Sequence, residues 1–272
     1  MPDRLTEALC APVRAPDPAT WRASLGEAAA TLARLAVRRA GAGRFRVTDH
    51  DIRLALHGLR DEAEAAPFAW AARTARRPLG LAAVRLLAAG AARSPAEAVR
   101  ARMDESTRWV RDGSPGATQL DRWLAGLSAA GRAAVGAEAV TWATRLWCAL
   151  DWSVLDGTPV IGRDRWWDSP HSALLALRGR ADVRTDRASL VVLSGPRRDS
   201  VRAELALVTL VDALRGRRPA TPGRVVGWWP DSGHLVRVEP EPAVLTLGAE
   251  GVELVLADAA PRRAAAAVRS AA

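Results

Sequence analysis

The spacing of apolar residues changes once along this chain, and that change constrains the fold more than any single motif. Up to about Leu150, apolar positions recur every three or four residues, the period of an amphipathic helix. Trp21, Leu25, Ala28, Leu32 and Leu35 form one such series, with Thr20 as its expected cap and Gly41 and Gly43 as its stop. Thr48 opens a second series through Ile52, Leu56 and Leu59. Ser94-Pro95-Ala96-Glu97 has the form of a capping box with proline at the first helical position, leading to Val99 and Met103. Gly113, Pro115 and Gly116 break the chain before helices expected over 120–127 and 133–150. The first sixteen residues read as a flexible arm.

After Trp152 the pattern shortens. A loop over 156–170, rich in Gly, Pro and Asp, leads to one expected strand over 173–184 and a shorter one over 189–193. Asp199 then caps a helix with Val201, Leu205, Val208, Val211 and Leu214 on one face, stopped by Gly216. Strands are expected over 224–229 and 234–238, joined by the turn Pro230-Asp231-Ser232-Gly233. The apolar stretch 243–256 is compatible with helix or strand, and the tail from Ala259 reads as frayed. The order helix, strand, strand, helix, strand, strand implies an α/β layer with helices on a mixed sheet. The expected division is a helical, arginine-rich region over 1–130 and an α/β domain over 131–272.

All 39 basic residues other than histidine are arginine; lysine, tyrosine and asparagine are absent, and isoleucine occurs only at Ile52 and Ile161. The missing types have AT-rich codons, so base composition accounts for the bias. The chemical consequence stands regardless of cause: no lysine can form a Schiff base or hold a P-loop phosphate, and no tyrosine can act as a nucleophile. Net charge is +9; the first 150 residues carry 22 Arg against 15 Asp and Glu. Guanidinium groups suit forked contacts with phosphate, which makes nucleic acid a candidate partner. Arg73, Arg76, Arg77, Arg197 and Arg198 are the candidate contacts. The alternative is a solvated surface in which arginine replaces lysine.

No stretch approaches the ~20 apolar residues that span a bilayer, the run over 79–92 being broken by Arg85. The first thirty residues lack a signal-type run, so the expectation is a cytoplasmic protein without membrane contact. Cys10 and Cys148 are expected as unpaired thiols. The four histidines do not cluster. Ser194, Asp231 and His234 lack the elbow of a serine hydrolase. Of the eleven tryptophans, Trp142, Trp147 and Trp152 fall on a helix's buried side. In the doublets Trp166-Trp167 and Trp228-Trp229, strand alternation turns one member away from the other, and an exposed one can stack a base or anchor a partner.

The segment Arg178-Gly179-Arg180-Ala181-Asp182-Val183 resembles the first motif strand of RecB-like members of the PD-(D/E)XK nuclease superfamily. Leu190 to Pro196, Arg202 to Val208 and Val225 to Gly233 follow in the order of that family's second motif strand, its helix and its next strand. The resemblance implies an αβββαβ core and, in working members, carboxylates around Mg²⁺ with a lysine beside them. Asp182 matches the first carboxylate; Glu138 on the preceding helix and Glu204 are further candidates. The D-x-K pair has no match, because Leu193, Ser194 and Gly195 occupy its place. A vestigial site that needs no cofactor is therefore expected, with Asp182 paired to Arg180 or Arg184 as the plain alternative. Three functions follow: a non-catalytic accessory protein binding nucleic acid or a partner in a DNA-processing or defence assembly; an atypical Mg²⁺-dependent nuclease; or a protein-only scaffold.

Overall fold

The computed structural model describes residues 3–38, 45–58, 69–170, 174–216 and 223–270; Gly41, Gly43, Leu59 and His171 lie outside them. It is mixed α/β, with mixed sheets. Two compact units are present: Met1–Glu7 with Pro67–Leu155 and Val160–Gly162, and Ala8–Ala66 with Asp156–Pro159 and Arg163–Ala272. This division differs from a border at residue 130. Each unit is discontinuous in sequence: most of the smaller one, 67–155, falls between two long stretches of the larger, and residues 1–7 and 160–162 complete it. The expected flexible arm is instead a helix, α1 (Asp3–Cys10), because Leu5, Ala8 and Leu9 are buried.

The smaller unit is built mainly from α4 (Ala72–Ala88), α5 (Pro95–Arg111), α6 (Gln119–Ala125) and α7 (Ala129–Ala149), with the two-residue strand β2 (Val160–Ile161). Helices α4 and α7 approach closely at Gly80, where a Cβ would lie 2.4 Å from the Trp142 ring. Ser94 caps α5 as the sequence implies, but Glu97 reaches back to the Arg93 N–H (2.9 Å) rather than to the cap residue. Helix α7 matches the helix expected over 133–150, yet it belongs to this unit and not to the one containing Asp182.

A buried carboxylate ties α5 to α6. Asp121 is fully buried and accepts from the Thr118 N–H (2.8 Å) and hydroxyl (2.7 Å), the Ser106 hydroxyl (2.7 Å) and Arg102 Nη2 (2.6 Å). Burial alone would raise its pKa, but the two Thr118 bonds, then Ser106 and Arg102, hold it down to about 2.

The larger unit contains α2 (Pro18–Arg38), β1 (Phe45–Val47), α3 (Asp49–Leu56), β3 (Arg165–Asp168), β4 (Leu175–Gly179), β5 (Val183–Arg184), β6 (Ala188–Val192), α8 (Val201–Arg215), β7 (Arg224–Trp229), β8 (His234–Val238) and α9 (Pro242–Ser270). Asp17, not Thr20, caps α2: its carboxylate accepts the Thr20 N–H and hydroxyl, each at 2.8 Å. The segment 243–256 is helical, and the backbone of α9 continues helical through the tail read as frayed.

One small sheet has the order β1-β4-β3, with β1 parallel and β3 antiparallel to β4. In the other, β6 pairs antiparallel with β5 and parallel with β7, which pairs antiparallel with β8. Helix α8 is the crossover between the parallel strands β6 and β7, as a parallel pair requires. The single strand expected over 173–184 is therefore two strands in two sheets. The break falls at Arg180-Ala181-Asp182, whose polar groups turn to β6: Arg180 Nη2 donates to the Val192 carbonyl (2.6 Å), and the Val192 N–H donates to Asp182 Oδ2 (2.7 Å). β1 and β3 are short strands that the sequence reading leaves as loop.

Helix α8 is buried along nearly its whole length and packs on β4, β7, α3 and α9. At Gly248, α9 comes so near α8 that a Cβ would stand 2.9 Å from the Ala206 carbonyl. The core cluster draws on Trp21 and Leu32 of α2, Ile52 of α3, Leu175 and Leu177 of β4, Leu207 and Leu210 of α8, and Leu245 and Val252 of α9.

The depressed pKa of Asp121 fixes the sign of an acid effect. The ionised form is stabilised by folding, so its contribution is complete above about pH 4 and disappears as pH falls toward about 2. In equilibrium unfolding, Asp121→Asn is expected to cost the smaller unit about 2 kcal/mol at neutral pH and to flatten the loss of stability between about pH 4 and pH 2.

Candidate functional site

The break between β4 and β5 is where charge collects in the larger unit. Asp182 is fully buried; besides the Val192 N–H it has Arg180 Nε at 4.0 Å. Arg180 Nη1 also reaches Asp49 Oδ2 at 3.3 Å. Asp49 begins α3, whose start is fixed by a capping box: Thr48 Oγ1 accepts the Asp51 N–H while Asp51 accepts the Thr48 N–H (2.8 Å). On the same helix, Arg53 bonds His50 Nδ1 one turn away.

Glu204 sits in the first turn of α8, where the helix dipole favours a negative charge. Its two oxygens receive Nε and Nη2 of Arg198, each at 2.6 Å, the bidentate geometry for which guanidinium is shaped. Arg198 Nη1 donates to the Ser194 carbonyl at 3.2 Å, and its plane lies 5.8 Å from the Trp229 ring. The Ser200 hydroxyl donates to Glu204 Oε1 (2.9 Å), and His57 Nε2 is 3.0 Å from the same hydroxyl. With the serine proton directed at a carboxylate, His57 supplies the proton of its own bond, so Ser200 is not arranged as an activated nucleophile.

These groups share one field. Burial works against the charge of Arg180, but Asp49 and Asp182, then Asp164 and Glu204, hold its pKa above the ordinary value. Arg53 is pushed the other way, first by burial and then by the like charge of Arg198, with Glu204 and Asp49 opposing. Burial, then Arg53, lowers the pKa of His50. Asp49, Asp182 and Glu204 are thus interleaved with Arg53, Arg180 and Arg198.

Mg²⁺ binds through several oxygen ligands in near-octahedral geometry. Here the Glu204 carboxylate is gripped by an arginine fork, and Asp182 Oδ2 is committed to a backbone N–H. Among the described residues no three His, Cys, Asp or Glu side chains are grouped to hold a metal ion. These donors do not fit the Mg²⁺ centre that the sequence resemblance implies.

The other sequence candidates are dispersed. Glu138 is half exposed on α7 in the smaller unit, where it pairs with Arg76 at 3.4 Å. Arg73 is exposed and Arg77 half-buried on α4; Arg197 is exposed beyond β6, whereas Arg198 is a structural cation. Counted from the sequence, the smaller unit has 13 Arg against 9 Asp and Glu, or +4, and the larger 26 against 21, or +5, so the excess is shared rather than concentrated in a helical region. Asp49 and Arg53 escaped sequence reading. The Thr48-Asp49-His50-Asp51 run marks a helix start, and nothing in its spacing points at residue 180.

No protein-family model, curated protein or solved structure matches the chain. Neither Cys10 nor Cys148 is in a disulfide, and among the described residues no helix is long and apolar enough to cross a membrane.

The Arg198–Glu204 pair gives a direct test. Both side chains are at least nine-tenths buried, so Glu204→Leu leaves an uncompensated cation and is expected to cost about 3–5 kcal/mol in denaturant unfolding. Arg198→Met combined with Glu204→Leu removes both charges and is expected to recover much of that loss.

Proposed function

We propose that this chain is a non-catalytic accessory protein with a degenerate nuclease-like core, binding nucleic acid or a partner in a DNA-processing or defence assembly. The observation that carries the reading is the arginine pairing of its buried carboxylates, above all the Arg198 fork on Glu204. In a metal-dependent nuclease the carboxylates must stay available to a cation that polarises the scissile phosphate. Here the cations are supplied by the chain itself: Arg198 on Glu204, and Arg180 beside Asp182 and Asp49. The net charge of +9 supports a polyanionic partner, and Arg73, Arg76, Arg77 and Arg197 are the contacts best suited to phosphate.

Purified protein is expected to leave linear, nicked and single-stranded DNA intact with Mg²⁺ or Mn²⁺. Metal-dependent cleavage lost in Asp182→Ala would reverse the reading in favour of an atypical nuclease.

Binding is expected to be electrostatic. With about four phosphate contacts, log affinity should fall against log salt with a slope of roughly −3 to −4, at ~0.7–0.9 per contact. Arg73→Glu with Arg197→Glu should weaken binding to all sequences alike while the melting temperature holds. A folded wild-type protein that binds neither duplex nor single strands at low salt would leave the protein-only scaffold as the function.

A further inference from the structure

The β1-β4-β3 sheet has two unlike faces. Phe45, Val47, Leu175 and Leu177 point into the core, and Trp167 packs against it. The opposite face follows from register: Arg46 is paired with Ala176, Trp166 with Arg178, and Asp168 with Ala176, so these side chains share one side. Trp166 is 40% exposed, the most exposed of the doublet tryptophans: Trp167 is half-buried, and Trp228 and Trp229 are buried at 7% and 4%. The guanidinium groups of Arg46 and Arg178 each lie 6.0 Å from its ring centre, Arg178 from the neighbouring strand β4 and Arg46 from β1 beyond it.

The tryptophan is also held in place. Arg215 donates to the Trp166 carbonyl at 3.0 Å, and Arg178 is steadied by Asp164 at 2.8 Å. A fixed, exposed ring with flanking guanidinium groups has little of the apolar rim that a protein-binding hot spot uses to exclude water. It does have what an unpaired base requires: a π-face to stack on, planar cations that stack in turn, and a positive charge for the adjoining phosphate. A duplex keeps its base faces inside the helix and cannot use such a ring.

We propose that Trp166, with Arg46 and Arg178, is a stacking platform for single-stranded nucleic acid on the arginine-bearing face of the β1-β4-β3 sheet. The proposal rests on the nucleic-acid reading above and narrows it to unpaired strands. Anisotropy titrations of the full chain with a labelled oligothymidylate and a duplex of equal length test it. Wild type is expected to prefer the single strand. Trp166→Leu, which keeps apolar bulk without the π-face, should weaken single-strand binding about 5- to 150-fold, the range for loss of one stacked base, whereas Trp166→Phe should retain most of it. If Trp166→Leu lowers the melting temperature, Arg46→Glu on an exposed side chain replaces it, with weakened single-strand binding expected. Unchanged single-strand binding in the folded variant, or equal affinity for duplex, overturns the platform but leaves nucleic-acid binding standing. Absence of all binding by wild type overturns both.

Discussion

Helix α8 is buried along nearly its whole length, and a helix so placed persists only if its sides are covered. β4 and β7, α3 and α9 provide the cover, so both small sheets of the larger unit are arranged around one helix. Its first turn then carries Glu204 into the same dry surroundings, where an unpaired carboxylate is costly. The Arg198 fork answers that demand. The rest of the charge pattern follows the same logic: Arg180 and Asp182, placed at the strand break beside β6, are buried only because backbone groups of Val192 and the carboxylate of Asp49 meet them.

Much of this architecture was legible in residue spacing. β7 and β8 fall on the residues expected, the helices that start at Thr48 and Ser94 begin there, and α8 begins close to its expected cap. What escaped was set by contacts distant in sequence. The 173–184 run looks like one strand because its composition is uniform; its division depends on hydrogen bonds to residues ten or more positions away. β1 and β3 are too short to show a period and exist because β4 lies between them. α1 was hidden by prolines that follow it, and Asp49 by having no sequence relation to Arg180.

Arginine does work at these positions that lysine could not. A single guanidinium at residue 184 reaches Asp212, the Ser189 hydroxyl (2.9 Å) and the Gly179 carbonyl (3.0 Å) at once. Its planar fork meets several acceptors in fixed directions, where an ammonium would act as a point charge. Burial nonetheless pulls the Arg184 pKa below its ordinary value, with Asp212 opposing. A base composition that removes lysine has thus furnished the interior with polar crosslinks, and part of the +9 charge is spent inside rather than displayed.

The guanidinium of Arg224 on β7 donates to the carbonyls of Ala8 (3.0 Å), Ala11 (3.4 Å) and Pro12 (3.1 Å), while its Nε bonds Glu239. Residues made first are thereby fastened by a residue made near the end, and α2 likewise waits for α9. On the ribosome helices α4 to α7 emerge with most of their partners already made, only the 160–162 stretch following, so they can close while the larger core is still missing its last elements. Translation order therefore separates two halves of one unit in time, and the early half must stay out of aggregates until the late half arrives.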